Sequence, residues 1–250
     1  MDNTKIQHPV LGISIGGTAV EKRPSSFTLV TDSGCAWSVA HLRFAADAEV
    51  GKLGDAITVT LSLSGDEHLL FTGEINNVLI HGAHRDVSIT DSYSKLLGAC
   101  VTPAYRKETA KAILQDALDS AGITKTAITC PEVEIGRFSI GEIPASMCIS
   151  LLIRALEEHG HEGYRFFFDT EDTFHFGTIQ DTGKNDGKVY AFETGKNILE
   201  KHEGMIEVLP LPIRHAQEVT VDGVKLITSR TDLTVSGQWS RLALWLEEAP

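Results

Sequence analysis

The first hundred residues alternate between apolar and polar positions with the period of two that is typical of strands. Five segments show this alternation or are enriched in β-branched and aromatic residues. Short turns rich in Asp, Ser and Gly separate them, and no helical period interrupts the series. This spacing predicts a small antiparallel barrel or sandwich. The predicted strands are 27–31, 37–44, 57–63, 69–80 and 86–91.

The period changes near residue 108, where apolar residues begin to recur at helical spacing. Between Glu108 and Ala121 they share one helical face, and Gly122 follows where a left-handed cap is favoured. A second helix is predicted from Pro144 to His159, because proline suits a first turn and Gly160 suits the cap. We expect the buried face of this helix to carry Cys148, Leu151, Leu152, Ala155 and Leu156.

An aromatic hairpin and a second group of strands follow the helices. Strands are predicted at 164–168 and 174–179, joined by an acidic turn. The polar, glycine-containing residues 181–188 indicate a linker. Strand character then returns, with a tight turn at Asp222-Gly223. The predicted strands of this region are 205–209, 218–221, 225–229, 232–235 and 241–247.

Composition and charge narrow the functional classes. The 250 residues include 22 basic and 34 acidic side chains, a net charge of −12, and the basic residues form no patch. Such a negative field repels nucleic acid, so sequence-specific DNA binding is not expected. No apolar run has the length that crosses a bilayer, and the first residues show no secretory signal, so we expect the protein to be made in the cytoplasm.

Histidines and cysteines are the first candidates for metal binding. The pair His159 and His161 and the pair His81 and His84 lack the H-E-x-x-H spacing of helical zinc sites. We expect His159 to cap its helix instead. The four cysteines lack C-x-x-C spacing and are interpreted as reduced, small apolar fillers. They are Cys35, Cys100, Cys130 and Cys148.

Other residue patterns favour a structural interpretation over a chemical one. The acidic pairs Glu157-Glu158 and Glu171-Asp172 are interpreted as solvated charges, because glycoside hydrolysis needs two carboxyls facing each other across a cleft. The sequence Gly16-Gly17-Thr18 lacks the phosphate-binding glycine pattern and predicts a turn or flexible arm. We therefore predict no catalytic, cofactor-binding or metal-binding residue, and no cofactor. For the three tryptophans, core packing is preferred over an anchoring role at an interface. They are Trp37, Trp239 and Trp245.

The order of motifs in Ala48–Leu96 is the most informative feature of the chain. A Gly-Asp pair, an alternating strand, a polar turn and the run Leu70–Ile75 precede a further strand and Val87–Asp91. In order and spacing this segment resembles the first barrel of phage baseplate hub proteins of the late-control D type, which are related to the N-terminal part of type VI secretion spike proteins. Three later segments resemble the same family, so that the likeness extends from Val20 to Leu246. They are TAKAILQDALDSAGI, GYRFFFDTEDTFHFG and the tail that begins LPLPIRHAQEVTVDG.

The resemblance implies an α+β fold, mainly β, in which two small antiparallel β-barrels of the tube type flank a small α/β domain. The implied divisions are 1–104 for the first barrel with an N-terminal arm, 105–187 for the helix-containing domain with its hairpin, and 188–250 for the second barrel. It also implies a homotrimer, because two barrels in each of three chains make a ring of approximate six-fold symmetry.

The implied role is structural. The ring would join the six-fold tail tube to the three-fold central spike, beside other baseplate proteins, in the tail baseplate of a virion assembled in the host cytoplasm. Genomic DNA would pass through the lumen without specific binding. The net negative charge would either line that lumen or maintain solubility.

Three other functions are kept as alternatives. A distal-tail or tube-capping ring would have six-fold rather than three-fold stoichiometry. A tail-tip cell-wall hydrolase would need a catalytic constellation in the middle domain, with Glu157 or Glu171 as candidates. A monomeric carbohydrate-binding protein would present Tyr164 or Trp239 to glycans.

Overall fold

The computed structural model describes residues 9–33, 37–139, 141–182, 190–237 and 239–248. Strands predominate among them, and the fold is α+β, mainly β, as the sequence predicts. Three predicted features lie outside the described residues: Cys35, the first part of the N-terminal arm, and residues 183–188 of the linker. None of the described helices is both long and apolar enough to span a membrane.

The N-terminal strands form because their alternating apolar side chains can all be buried on one face. In the strand that holds Leu42, for example, every second residue is buried and those between are half-buried or exposed. All five strands predicted here are present within a few residues of their expected bounds. The strands are β1 (Val10–Ile15), β2 (Thr18–Ala19), β3 (Ser26–Asp32), β4 (Val39–Ala45), β5 (Ala56–Leu63), β6 (Asp66–His81) and β7 (His84–Thr90).

A central segment of mixed structure, residues 91–182, follows β7. Its longer elements were predicted, whereas two short helices and several two- to six-residue strands were not. The second short helix begins at Ile179, predicted as the end of a strand, and includes residues 181 and 182 of the predicted linker. The elements are α1 (Tyr93–Gly98), β8 (Cys100–Val101), β9 (Ala104–Thr109), α2 (Ala110–Ser120), β10 (Thr126–Ile128), β11 (Glu134–Ser139), β12 (Ile143–Pro144), α3 (Ala145–Glu158), β13 (Arg165–Phe168), β14 (Phe174–Gly177) and α4 (Ile179–Thr182).

Both predicted helices are confirmed, and their caps explain their bounds. The Thr109 hydroxyl accepts a hydrogen bond from the backbone N–H of Ala112 at 3.2 Å, which satisfies one free donor at the start of α2. Helix α3 begins at Ala145 rather than at Pro144. Pro144 has extended backbone geometry and pairs with Cys100 between β12 and β8, so it precedes the helix instead of joining its first turn.

The helices and the hairpin of the central segment share their own hydrophobic core. On α3, Cys148, Leu152 and Leu156 are buried in this core. Leu151 and Ala155 are half-buried against it, so the predicted face of the helix is confirmed. The facing side chains come mainly from α2 and from the three-stranded sheet of β10, β14 and β13.

The C-terminal strands return to the first sheet. The two strands predicted at 225–229 and 232–235 are one long strand, Val224–Ser236. A register shift between Thr228 and Arg230 lets this strand stay paired with its neighbour across the gap between the two predicted segments. The strands are β15 (Tyr190–Phe192), β16 (Ile198–His202), β17 (Met205–Val208), β18 (Glu218–Val221), β19 (Val224–Ser236) and β20 (Ser240–Glu248).

One continuous sheet joins the two ends of the chain. β3 and β19 pair antiparallel from Ser26 opposite Ser236 to Asp32 opposite Arg230. Through this pairing the strands form a 13-stranded sheet whose main path is β16-β17-β20-β19-β3-β4-β7-β6-β5-β1-β2. Buried side chains from both ends, such as Phe27 and Leu233, belong to one core. Within the described residues no closed barrel is found, so the two separate closed barrels expected from the sequence are corrected to one shared sheet.

Candidate functional surfaces

The two histidine pairs occupy different ends of the molecule and have different surroundings. His159 lies at the end of α3, where its Nδ1 is 2.7 Å from the Ala155 carbonyl oxygen, the capping contact that the sequence predicts. His81 and His84 face each other across the exposed tip of the β6–β7 hairpin. Within the described residues no three His, Cys, Asp or Glu side chains come together in a way that could hold a metal ion.

The acidic pairs differ in their roles. Glu157 and Glu158 are exposed at the end of α3, as predicted. Glu171 is also exposed, and its carboxylate pairs with the Lys125 ammonium at 3.0 Å. Asp172 is not a solvated charge, contrary to the prediction, because it is half-buried and accepts a hydrogen bond from the backbone N–H of Ser92, the residue before α1.

The prediction that the tryptophans pack in the core is wrong for Trp37 and Trp239. Trp37 is 43% exposed and Trp239 is 50% exposed. The Arg241 guanidinium lies over the Trp239 ring at 4.9 Å, a cation–π contact at the surface. Trp245 is half-buried under Arg230.

The predicted turn at Gly16-Gly17 is confirmed. Both residues have positive φ and form the turn between β1 and β2.

The described cysteines differ in burial. Cys148 is buried and fits the filler interpretation, and Cys130 is half-buried. Burial raises the pKa of both thiols to about 11. Cys100 is exposed at β8 and is therefore not a core filler.

Two carboxyls hold the junction between the main sheet and the central segment. Asp91 is 1% exposed, and its oxygens accept hydrogen bonds from the backbone N–H groups of Ser38 at 2.9 Å and Tyr93 at 3.1 Å. Asp172, in the hairpin turn, accepts from the Ser92 N–H at 2.8 Å and from its hydroxyl at 2.5 Å. Burial raises the pKa of both carboxyls, that of Asp91 to about 8.

Replacing Asp91 by Asn is expected to remove a pH dependence of folding. In the fold the carboxyl keeps its proton up to about pH 8, whereas its ordinary pKa is 3.8. The stability linked to this group is therefore complete below pH ~4 and is lost as the pH rises towards 8, by at most about 1.4 kcal/mol per pH unit. Urea unfolding at about pH 5 and about pH 7 gives the free energy of unfolding of both proteins. Wild type should lose stability relative to Asp91→Asn between these values, and a constant difference would contradict the prediction.

A second group of contacts joins the β13–β14 hairpin to the C-terminal strands. The Arg165 guanidinium donates to the Glu247 carboxylate at 2.9 Å. Phe167 projects from β13 into a small apolar cluster that bridges the two parts of the molecule. The other members of that cluster are Ile179, Ala216 and Ile227.

Sequence reasoning missed both junctions, although one carried a local signal. Asp91-Ser92 precedes Tyr93 and Leu96-Leu97, which recur at helical spacing. This pattern is a typical start of a helix and could have predicted α1. No local pattern links Ser92 to Asp172 or Arg165 to Glu247, because each pair is about 80 residues apart in the chain.

One end of the main sheet is open in the described residues. β16 pairs with β17 only, and all of its residues except Ile198 are exposed. Leu199, in this strand, is 57% exposed. Edge strands that present unpaired backbone groups are places where another chain can add a strand. The open edge of β16 is therefore a candidate contact surface.

Comparisons with known proteins give a consistent answer about the fold. No protein-family model and no curated protein matches the chain. Among solved structures, the 43 kDa tail protein of prophage MuSo2 from Shewanella oneidensis has a TM-score of 0.71 at 13% identity, covering 95% of this chain and 96% of its own. A tail protein from Neisseria meningitidis has a TM-score of 0.72 at 10% identity, covering 97% of each chain.

A type VI secretion protein extends this set. An Escherichia coli component of that system, described as structurally similar to the T4 phage tail proteins gp27 and gp5, has a TM-score of 0.68 at 12% identity. The alignment covers 95% of this chain and 77% of the Escherichia coli protein. Along nearly its whole length, the chain therefore has the fold of phage tail proteins.

Proposed function

We propose that this chain is the structural hub of a phage tail baseplate, in a contractile or long tail or a phage-like particle. In this proposal three copies form a ring of approximate six-fold symmetry that joins the six-fold tail tube to the three-fold central spike. The protein would act in the virion tail after assembly in the host cytoplasm. It would need no cofactor and carry no catalytic site.

The end-to-end likeness to two phage tail proteins is the observation that carries this proposal. It covers 95–97% of this chain and 96–97% of theirs, so it is not restricted to one common β-motif. The likeness to a type VI secretion component, and to a chain of a Francisella PdpA-VgrG complex with a TM-score of 0.57, supports a partner on the spike side. Fold alone does not determine function, so the proposal needs a test of assembly.

The arrangement of the main sheet agrees with two ring units per chain. In the described residues, the strands of 1–104 and those of 188–250 form two sets that the pairing of β3 with β19 joins into one sheet. We propose that each set occupies one of six positions in the ring, with residues 105–187 as a separate unit beside them. A head-to-tail contact of this kind closes a ring when the rotation between copies is suitable.

The first experiment is to measure absolute mass by light scattering behind a sizing column, at several protein concentrations and two salt levels. A trimer of about 82 kDa, three times the 27.2 kDa of the chain, is the expected result. A hexamer would favour the alternative of a distal-tail or tube-capping ring. A monomer at every concentration, also when purified tube and spike proteins are added, would contradict the hub.

Leu199→Lys is expected to weaken the trimer without unfolding the chain. A lysine on an edge strand opposes pairing with another chain, and Leu199 is 57% exposed in the single chain. Light scattering should show the monomer fraction rising at concentrations where the wild type is trimeric. The matched control is Leu97→Lys, the same substitution at a position 46% exposed in α1, outside the main sheet. Equal trimer stability in the two variants would exclude β16 as the contact.

A further inference from the structure

His215 is a fully buried histidine at the contact between the hairpin and the C-terminal strands. It lies in the segment between β17 and β18 and is 1% exposed. Its ring packs edge-on against the Phe167 ring of β13, with centroids 4.6 Å apart and planes at 85°. Its backbone N–H donates to the Thr31 hydroxyl at 3.2 Å, which ties the segment to the main sheet.

The imidazole of His215 has no hydrogen-bond partner at either ring nitrogen among the described residues. Buried polar groups are normally satisfied, so an unbonded neutral ring is already costly, and a charged one in the same place would cost far more. The site thus accepts only the neutral form of the side chain.

The charged groups around His215 also favour the neutral form of its imidazole. The Arg214 guanidinium lies 5.5 Å from the centre of the Phe167 ring, and His175 stacks on the same ring at 5.1 Å. Arg165 also acts on His215 as a positive charge. The Asp169 carboxylate has the opposite effect on His215, but it lies 2.9 Å from the His175 ring and is paired with that ring. Burial first, and then the charge of Arg214, lower the pKa of His215 to about 3.

We propose that His215 is an acid-sensitive latch, whose protonation opens the contact between the β13–β14 hairpin and the C-terminal strands. When the contact is closed, the imidazolium has no acceptor and is repelled by Arg214. When it is open, water solvates the charge. Acid therefore favours the open form, in which the central segment is released from the main sheet at this point.

The direction of the pH dependence follows from linkage. The closed form binds no proton at His215 until about pH 3, whereas an exposed histidine binds one near its ordinary pKa of 6.5. The closed contact is therefore most stable above pH ~6.5 and weakens as the pH falls, by about tenfold in the opening equilibrium per pH unit. The other junction does not share this response, because burial raises the pKa of Asp91 and Asp172 and acid therefore favours their folded environment.

Amide hydrogen exchange on the full-length chain tests the latch, at about pH 7.5 and about pH 4.5 and after correction for the intrinsic exchange rates. The opening equilibrium at residues 213–217 and in β13 should increase about 100-fold at the lower pH. The amides that pair β5 with β6 should not show this increase. His215→Phe keeps a ring against Phe167 and should abolish the increase, whereas the control His81→Gln, at the exposed hairpin tip, should keep it.

Two results would overturn the latch. One is the same acid response in His215→Phe as in wild type. The other is an equal response throughout the main sheet, which would indicate global unfolding. If His215→Phe does not fold, an NMR titration of the His215 ring in the wild type decides the matter. The ring should stay neutral while the contact is closed, and proton uptake near pH 6.5 with the contact intact would refute the latch. These readouts do not depend on the trimer.

Discussion

Phe71→Asp is expected to prevent folding of the main sheet. Phe71 is 2% exposed in β6 and belongs to the core shared by both ends of the chain. Removing a buried phenylalanine side chain costs about 3–5 kcal/mol through lost packing. The aspartate adds an unpaired buried charge, which costs several kcal/mol more or forces the core to open. Together these costs are of the same order as the stability of an ordinary domain, about 5–15 kcal/mol.

The measurement is circular dichroism with a urea titration, compared with Leu79→Asp as the matched control. Leu79 lies in the same strand but is 47% exposed, so the same chemical change places a charge in water. The control should retain the wild-type spectrum and a cooperative transition, while Phe71→Asp should show neither. A soluble, cooperatively folded Phe71→Asp protein would mean that the assigned inward face of β6 is wrong. Ile75, 1% exposed in the same strand, should behave like Phe71.

The strands were predictable where a local pattern determines them. In β3, β4 and β5 alternate side chains are buried, so burial in the fold repeats the alternation of the sequence. The pairing of β3 with β19 was not predictable, because it joins residues about 200 positions apart and no local pattern specifies a long-range partner. For this reason the sequence predicted two separate barrels, whereas the strands of both regions belong to one sheet.

The short elements of the central segment escaped prediction for a different reason. β8 and β12 have two residues each, too few to show any period. They exist because Cys100 pairs with Pro144 across a folded segment, so tertiary structure creates them rather than local preference. Element type is reliable from sequence mainly for long periodic segments such as α2 and α3.

The candidate surfaces depended even more on tertiary context. Trp37 and Trp239 were assigned to the core from residue type, yet they lie just before β4 and β20 and are exposed. Asp172 looked like a solvated turn residue, but its partner Ser92 comes from another part of the chain. His215 gives no sequence signal at all, because its burial arises from the packing of the β13–β14 hairpin onto the C-terminal strands.

Gly73→Ala is expected to destabilise the protein severely, although it adds only one methyl group. A Cβ atom at Gly73 would lie 2.3 Å from the carbonyl oxygen of Thr90 and 2.8 Å from the ring of Phe71. The carbonyl belongs to the backbone of the neighbouring strand β7, so a rotamer change cannot relieve the contact. Either β6 and β7 separate locally or the Phe71 ring leaves its position, and both outcomes disturb the same core. Overpacking of this kind costs about 1–3 kcal/mol or more.

Gly136→Ala is the matched control, since Gly136 also lies in a strand, β11, and nothing lies within 4 Å of a Cβ built there. Replacing glycine by alanine at an unhindered position changes stability by less than about 1 kcal/mol, in the stabilising direction. Thermal and urea unfolding of both variants should therefore separate them clearly, with Gly73→Ala well below the wild type and Gly136→Ala at or above it. Equal stability of the two would show that β6 and β7 can move apart at this point without cost. The close approach of Thr90 to Gly73 would then not contribute to holding the main sheet together.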